Sequence, residues 1–408
     1  MLTEKIEIGF DLTSTGAGPF LVLDDPVQGR LDDPEWVLGG NIFIDVTDRV
    51  RSYSITRGKS RELDRYNAGV CSVTFSNFDR AFDPTYTSSP FYGQVIPHRE
   101  IRVTVDGVVQ FKGRIDDWNL DWTLDGDASA SLTASDGFML LAGQTLAGGV
   151  QTAQRSGARV NAVLSSADVN WPVEERDIDS GQFVLGADTV AVDTNALSYL
   201  QLIEQSEFGR LFVSKTGKLT FRDFSGVAAR SSTLVVFSDD SSGIDYSGVA
   251  VTYGSELLYN QAVVSSVTSA STAIADDLPS QDEYGISTLT QTDLLLNSVA
   301  DIESRAYVLV SKYSEPEFRF DTIEVNLTTL SEAEQTQVLG LEMGSVCQIK
   351  FTPGGISPAI SKYAEVIGIG HQTDLNVHKM TFSFQTLDST FLVLDDAVFG
   401  RLDYNTLS

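Results

Sequence analysis

Three histidines, two cysteines and a crowd of carboxylates are the side chains here that could do chemistry. His98 follows a proline in a loop, while His371 and His378 stand in or beside an expected β-hairpin. Zinc would need cysteine or acidic partners at short spacing, and none flank them. A surface or hydrogen-bonded histidine is the better reading of each. Cys71 and Cys347 lie far apart, each in apolar, strand-like surroundings. They read as two buried thiols and not as a disulfide framework. Neither has a histidine near it, and there is no Gly-x-Ser-x-Gly elbow, so nucleophilic catalysis lacks its usual parts. The pairs Asp24-Asp25 and Asp395-Asp396 could attract calcium, but the alternating acidic loop with a closing glutamate is missing, which favours turn capping. Paired carboxylates are too common in so acidic a chain to mark glycoside hydrolysis. Gly16-Ala17-Gly18 does not lead a strand into a helix, as a phosphate cradle would require. The expectation is a protein without a catalytic centre, metal or cofactor.

Charge points the same way. The 408 residues carry 28 Lys and Arg against 56 Asp and Glu, a formal net charge of −28. Such a surface disfavours sequence-specific nucleic-acid binding and adhesion to anionic membranes, both of which need clustered cations. Plain solvation explains the charge most simply. The specific alternative is the wall of a conduit, past which DNA would slide without sticking. No Lys or Arg occurs between Ser231 and Ser304, a stretch that includes Asp276, Asp277, Asp282 and Glu283. These four acids are the candidates for a lumen or a subunit contact. Arg49, Arg51, Arg57, Lys59, Arg61 and Arg65 form the opposite bias. The two regions suit head-to-tail contacts between copies, or ordinary salt-bridged strands within one chain.

The elements that must hold these residues are mostly strands. Ile101 to Val105 and Val108 to Ile115 flank Asp106-Gly107, a strong two-residue hairpin signal. A second hairpin turns at Asp125-Gly126-Asp127, and Val70, Val73 and Phe75 mark a further strand. The middle changes character. Val160, Val163 and Leu164 share a helical face, as do Leu197, Leu200 and Ile203, with Thr194 or Asn195 as cap and Gly209 at the end. A hairpin around Lys215 to Lys218 follows. Beyond Ser247 strands return, interrupted by one helix that Asn297 or Ser298 can cap, with Ile302, Ala306, Leu309 and Tyr313 on one face. The expected fold is β-rich α+β. It has an N-terminal β domain over 1–145, a small α+β domain over 146–246 and a second β domain with one helix over 247–389. Trp118 and Trp122 share one side of a strand, which suggests core packing. Residues 1–12 lack a basic stretch leading into an apolar run, and no segment nears ~18 consecutive apolar residues, so neither a signal peptide nor a membrane span is expected.

One repeat stands out. Phe20 to Asp32 recurs as Phe391 to Asp403, differing only at Pro26/Ala397 and Gln28/Phe399. Each copy reads as a short hairpin, and a tail of 390–408 carries the second. Asp24, Asp25, Gly29, Asp395, Asp396 and Gly400 are therefore candidate docking residues.

The run ITRGKSRELDRYNAG from Ile55 to Gly69 resembles the opening signature of minor tail proteins of long-tailed bacteriophages. Its continuation is similar too, with VTFSNFDRAFDP from Val73, PHREIR from Pro97 and FKGRIDD from Phe111. Arg159 to Leu164, Trp171-Pro172, Arg176, Leu200 to Gly209, Tyr259-Asn260, Tyr284-Gly285 and Tyr313 extend the resemblance over nearly the whole chain. It implies a baseplate hub, a homotrimer with two tail-tube-like β-barrel domains per subunit. Its partners would be the distal tail protein, the tape measure protein and tail fibre or receptor-binding proteins, with DNA only in transit. Its place would be the virion tail tip, after assembly in the host cytoplasm. The alternatives are the distal tail protein, a hexameric ring, and a carbohydrate-binding module of the tail tip.

Overall fold

Alternation of apolar and polar residues dictates most of the architecture. The structure is a computed structural model that describes residues 2–10, 42–224, 234–374 and 377–387. Its first strands are β1 (Glu4–Phe10), β2 (Ile42–Asp45), β3 (Val50–Gly58), β4 (Asn67–Ser76), β5 (Glu100–Val105), β6 (Val108–Trp122) and β7 (Ala128–Ser135). Val105 pairs directly with Val108, so Asp106 and Gly107 alone make the turn, at φ 45° and 77°. Positive φ at both central positions is the twist-matched hairpin turn that Asp-Gly favours. In β4 every second residue, Cys71, Val73 and Phe75, is buried, and β7 answers in register with Ala134, Leu132 and Ala130. Trp118 joins this core, its ring 5.4 Å from that of Phe82. Trp122 does not: it is 54% exposed, because β6 runs on past the core it covers.

The middle segment contains α1 (Gly137–Ala142) and seven short strands, numbered β8 to β14 in chain order. These are Thr145–Leu146, Gly149–Gln151, Gln154–Arg155, Arg176–Ile178, Val184–Leu185, Asp188–Val190 and Thr194–Asn195. It also holds α2 (Ser156–Leu164), α3 (Ala196–Glu207) and the hairpin of β15 (Arg210–Val213) with β16 (Leu219–Arg222). Asn195 caps α3 by accepting from the Ser198 N–H at 3.0 Å, and Phe208 closes it in the left-handed region at φ 62°. Leu200, Ile203, Val160, Leu164 and Phe221 fill the local core.

Past it lie β17 (Val235–Ser238), β18 (Gly248–Tyr253), β19 (Gln261–Ser266), β20 (Ser271–Asp276), α4 (Leu278–Tyr284), β21 (Thr288–Leu294), α5 (Val299–Tyr313) and β22 (Phe318–Asn326). Then come α6 (Glu332–Gly340), β23 (Val346–Phe351), β24 (Ile360–Asp374) and β25 (Val377–Leu387). Three helices thus stand where the sequence suggests one. The short α4 and α6 rest on caps, Asp277 for α4 and a Ser331–Glu334 capping box for α6, more than on an apolar stripe. At α5 Ser298 takes the cap position without a capping hydrogen bond. Residues 254–317 form an insertion at the tip of the β18–β22 hairpin, where Tyr253 pairs with Phe318. In it β19, β20 and β21 make a separate three-stranded sheet, on which α5 packs.

Strands of both β regions merge into one 13-stranded sheet, ordered β18-β22-β25-β24-β3-β4-β7-β6-β5-β1-β2, with β17 and β23 branching from β24. The chain is thus β-rich α+β, and among the described residues the strand path does not close into a barrel. The join is β24. Its first half pairs with β23, from Phe351–Ile360 to Val346–Glu365; its second half pairs with β3, from Gly368–Gly58 to Thr373–Tyr53. An irregularity between Val366 and Gly368 separates the halves. The two backbones nearly touch there. A Cβ on Gly58, which sits at φ +94°, would lie 2.3 Å from the Ile367 carbonyl oxygen, and one on Gly368 2.5 Å from that of Lys59. Gly58→Ala is therefore expected to cost about 2–3 kcal/mol of stability through strain and steric overlap. Gly254→Ala, where a Cβ meets nothing within 4 Å, is the control and should cost far less. Urea unfolding midpoints of the two variants check this; equal midpoints would refute the role given to the β3–β24 crossing.

Candidate functional site

The insertion carries the four acids singled out in the sequence, and the fold divides them. Asp276 ends β20 and accepts hydrogen bonds at 2.8 Å from the side-chain amides of Gln261 and Gln281. Those bonds hold its carboxyl below the usual range. Asp277 is the N-cap of α4, accepting from the Ser280 N–H at 3.2 Å. Asp282 and Glu283 are exposed on α4. Two of the four therefore shape the turn into α4, and two are free to meet a partner. Leu278, Tyr284 and Ile286 are exposed in the same short segment. The insertion itself is anchored. The Leu295 N–H donates to Ser206 Oγ at 3.0 Å, and the Arg305 guanidinium lies 4.1 Å over the Phe208 ring.

The basic run finds its counter-charges within the chain. Arg49 pairs with Asp79, Arg51 with Asp127 and Arg57 with Glu342. Arg65 donates to Gln205, and Lys59 to the Glu62 carbonyl with its ammonium over the Tyr66 ring. Arg61 reaches Glu256, so the basic and acidic stretches touch inside one molecule. Of the two readings of the charge bias, salt-bridged strands describe these residues. The Arg61–Glu256 pair is exposed on both sides and adds little stability.

A different ionic cluster matters more, and no sequence motif marks it. Arg57 of β3 is 3% exposed and pairs with Glu342, whose other oxygen accepts from the Lys215 N–H at 2.8 Å. The Lys215 ammonium donates to the carbonyls of Leu339, Gly340 and Leu341, where α6 ends. A cation there satisfies carbonyls that have no helical partner. Nearby, Arg210 of β15 pairs with the fully buried Glu365 of β24. These contacts clamp the β15–β16 hairpin of the middle segment to the β24 join. They draw on residues far apart in sequence, so spacing carries no signal of them.

The histidines separate similarly. His98 is exposed in its loop at φ 65°. His371 and His378 face each other across the β24–β25 hairpin, Nδ1 to Nε2 at 3.0 Å, and His378 Nδ1 lies 2.9 Å from Glu4 Oε1 of β1. Both rings are buried, and the edge of His378 meets Tyr53. Each ring thus has a hydrogen-bond partner. Cys71 and Cys347 are free and buried, and burial pushes both thiols up. The duplicated hairpins, with Asp24, Asp25, Gly29, Asp395, Asp396 and Gly400, lie outside the described residues.

No family model matches the sequence, and no curated protein matches it. Solved structures do. A tail protein from Neisseria meningitidis has a similar fold, with a TM-score of 0.60 at 11% identity over 95% of this chain and 97% of that chain. The 43 kDa tail protein of prophage MuSo2 from Shewanella oneidensis has a TM-score of 0.60 at 10% identity over 94% and 98%. A prophage tail protein from Listeria monocytogenes has 0.52 at 11% identity over 84% and 91%. The structural neighbours are thus phage and prophage tail proteins, matched nearly end to end. At such identities the likeness concerns the fold.

The buried histidine pair predicts a pH dependence. Burial, with His378, Arg57 and Lys215 nearby, holds His371 well below the ordinary histidine range. The unfolded chain takes up a proton near pH 6.5 that folded His371 refuses, so this contribution to stability falls as pH drops below 6.5, by up to about 1.4 kcal/mol per pH unit. Asp136 and Glu204, raised by burial to about 7, slope the opposite way. Comparing wild type with His371→Gln cancels them. The stability gap between the two proteins should shift in the variant's favour from pH 7 to pH 5; a constant gap in urea unfolding would refute the assignment.

Proposed function

We propose that this protein is the baseplate hub at the distal end of a phage tail tube. The observation that carries the reading is the end-to-end fold likeness to the Neisseria and Shewanella tail proteins, joined to the tail-protein resemblance of the sequence. In this reading three copies form a ring. Each contributes two tube-like β regions joined through β24, so that six of them continue the sixfold ring of the tube above. The ring closes the tube, docks on the distal tail protein, encloses the end of the tape measure and carries fibres or receptor-binding proteins. It stands at the tail tip of a virion assembled in the host cytoplasm. Its work is mechanical, with DNA only in transit and no catalytic step. Buried, paired charges such as Arg57–Glu342 and Arg210–Glu365 suit a part that must keep its shape while others move. Asp282 and Glu283 are then available for contact with a neighbouring subunit or tail component.

Light scattering of the purified protein should give three times the chain mass of 44.3 kDa, and antibody labelling should mark the tail tip of purified particles. A hexamer would transfer the reading to the distal tail ring. Absence from particles would end it. Asp282→Lys with Glu283→Lys should leave the unfolding midpoint within about 0.5 kcal/mol of wild type, as expected for exposed positions. It should weaken assembly of the trimer or of the tail; normal assembly would remove these acids from the contact.

A further inference from the structure

One side of the large sheet packs as core, and the other carries an unbroken polar field. Register shows it directly. Lys379 of β25 pairs with Gln372 of β24, Gln372 with Ser54 of β3, Ser54 with Ser72 of β4, Ser72 with Thr133 of β7, and Thr133 with Asp117 of β6. This row crosses six strands and passes over the β24–β3 join without interruption. Their chain neighbours, such as His371, Ile55, Cys71 and Leu132, point into the core. On the polar side, β3 from Ser52 to Thr56, β4 from Val70 to Ser76 and β7 from Ser129 to Ser135 present serine, threonine and a single valine. Beside them β24 shows Gly368 and Gly370. Charged residues of these rows, Lys379, Asp117, Glu324 and Arg114, stand at the margins.

In a chain with 21% charged residues, such a field departs from an ordinary solvated surface, where both signs are interspersed. It also lacks the apolar core of a protein interface. It lacks the Lys and Arg that would hold phosphates. Small hydroxyls keep a surface wetted and flat and hold nothing strongly, since each hydrogen bond exchanges with water at little net gain. Five strand spacings of ~4.8 Å give the row a width of about 24 Å. Such a surface fits a large polyanion that must move past and not stay.

We infer that this hydroxyl face of β25, β24, β3, β4, β7 and β6 is the wall of the conduit, and that nucleic acid in transit is what it faces. The acids of the insertion are not that wall. They sit beyond the tip of β18 and β22, on a separate small sheet. The inference rests on the hub reading and says which surface of the hub turns inward.

Two measurements test it. Ser72→Cys adds the only reactive thiol, because Cys71 and Cys347 are buried. In the free subunit a bulky polyethylene-glycol maleimide should label it. In purified tails labelling should slow at least tenfold, and denaturation should restore it. The triple variant Ser54→Lys, Ser72→Lys, Thr133→Lys adds three cations to the field. It should retard duplex DNA at low salt, where wild type does not. Its particles should eject DNA at least tenfold more slowly at low salt, with recovery as salt rises. The same three positions changed to Gln should eject at the wild-type rate, which separates charge from bulk. Equal unfolding midpoints confirm that all variants fold. Free labelling of Ser72→Cys in intact tails, or wild-type ejection by the Lys variant, overturns the wall assignment and leaves the hub standing. A protein missing from purified tails overturns the hub reading itself.

Discussion

Where β3 and β24 cross, two glycines let the backbones come closer than any side chain permits. Gly58 and Gly368 face each other there, and Lys59 donates its N–H to the Ile367 carbonyl at 2.9 Å. Everything on either side inherits its position from this contact. β24 leaves β23 just before it and takes up β3 just after it, so a single strand serves both halves of the sheet. Without that approach the N-terminal strands and the strands after Ser247 would be independent units with no fixed relation. With it they form one surface.

The middle segment is tied to the same place. Arg210 of its hairpin meets Glu365 one turn of the sheet away from the crossing, and Lys215 and Arg57 converge on Glu342. Burying charges is costly unless each finds a partner, and a misplacement strands several at once. Such a cluster specifies one arrangement of the three segments more strictly than apolar packing does, since apolar surfaces tolerate small slips. The insertion is then held on the middle segment through Ser206 and Phe208, leaving its acidic α4 outward. Rigidity at the centre and charge at the periphery suit a ring component that carries others.

The distribution of charge makes sense in that light. The cations of the Arg49–Arg65 run are consumed internally, so they are not available to bind phosphates. The acids remain at the surface of the insertion. The sheet face between them is nearly free of both. A net charge of −28 is thus spread unevenly, as its total cannot tell.

Short-range features were fully legible from residue order. The Asp-Gly turn, the Asn195 cap, the alternation of β4 with β7 and the β-rich α+β class follow from local sterics and side-chain period, which act between near neighbours. The tail-protein likeness was legible too, because many short matches run through the whole chain. The shared sheet, the Glu342 and Glu365 ion pairs, the His371–His378 contact with Glu4 and the split of Asp276 and Asp277 from Asp282 and Glu283 were not. Each depends on which strands lie side by side, and partners distant in sequence leave no spacing to read. Trp122 shows the same limit in miniature: period placed it beside Trp118, but only the extent of the core beneath β6 decided that it stays in water.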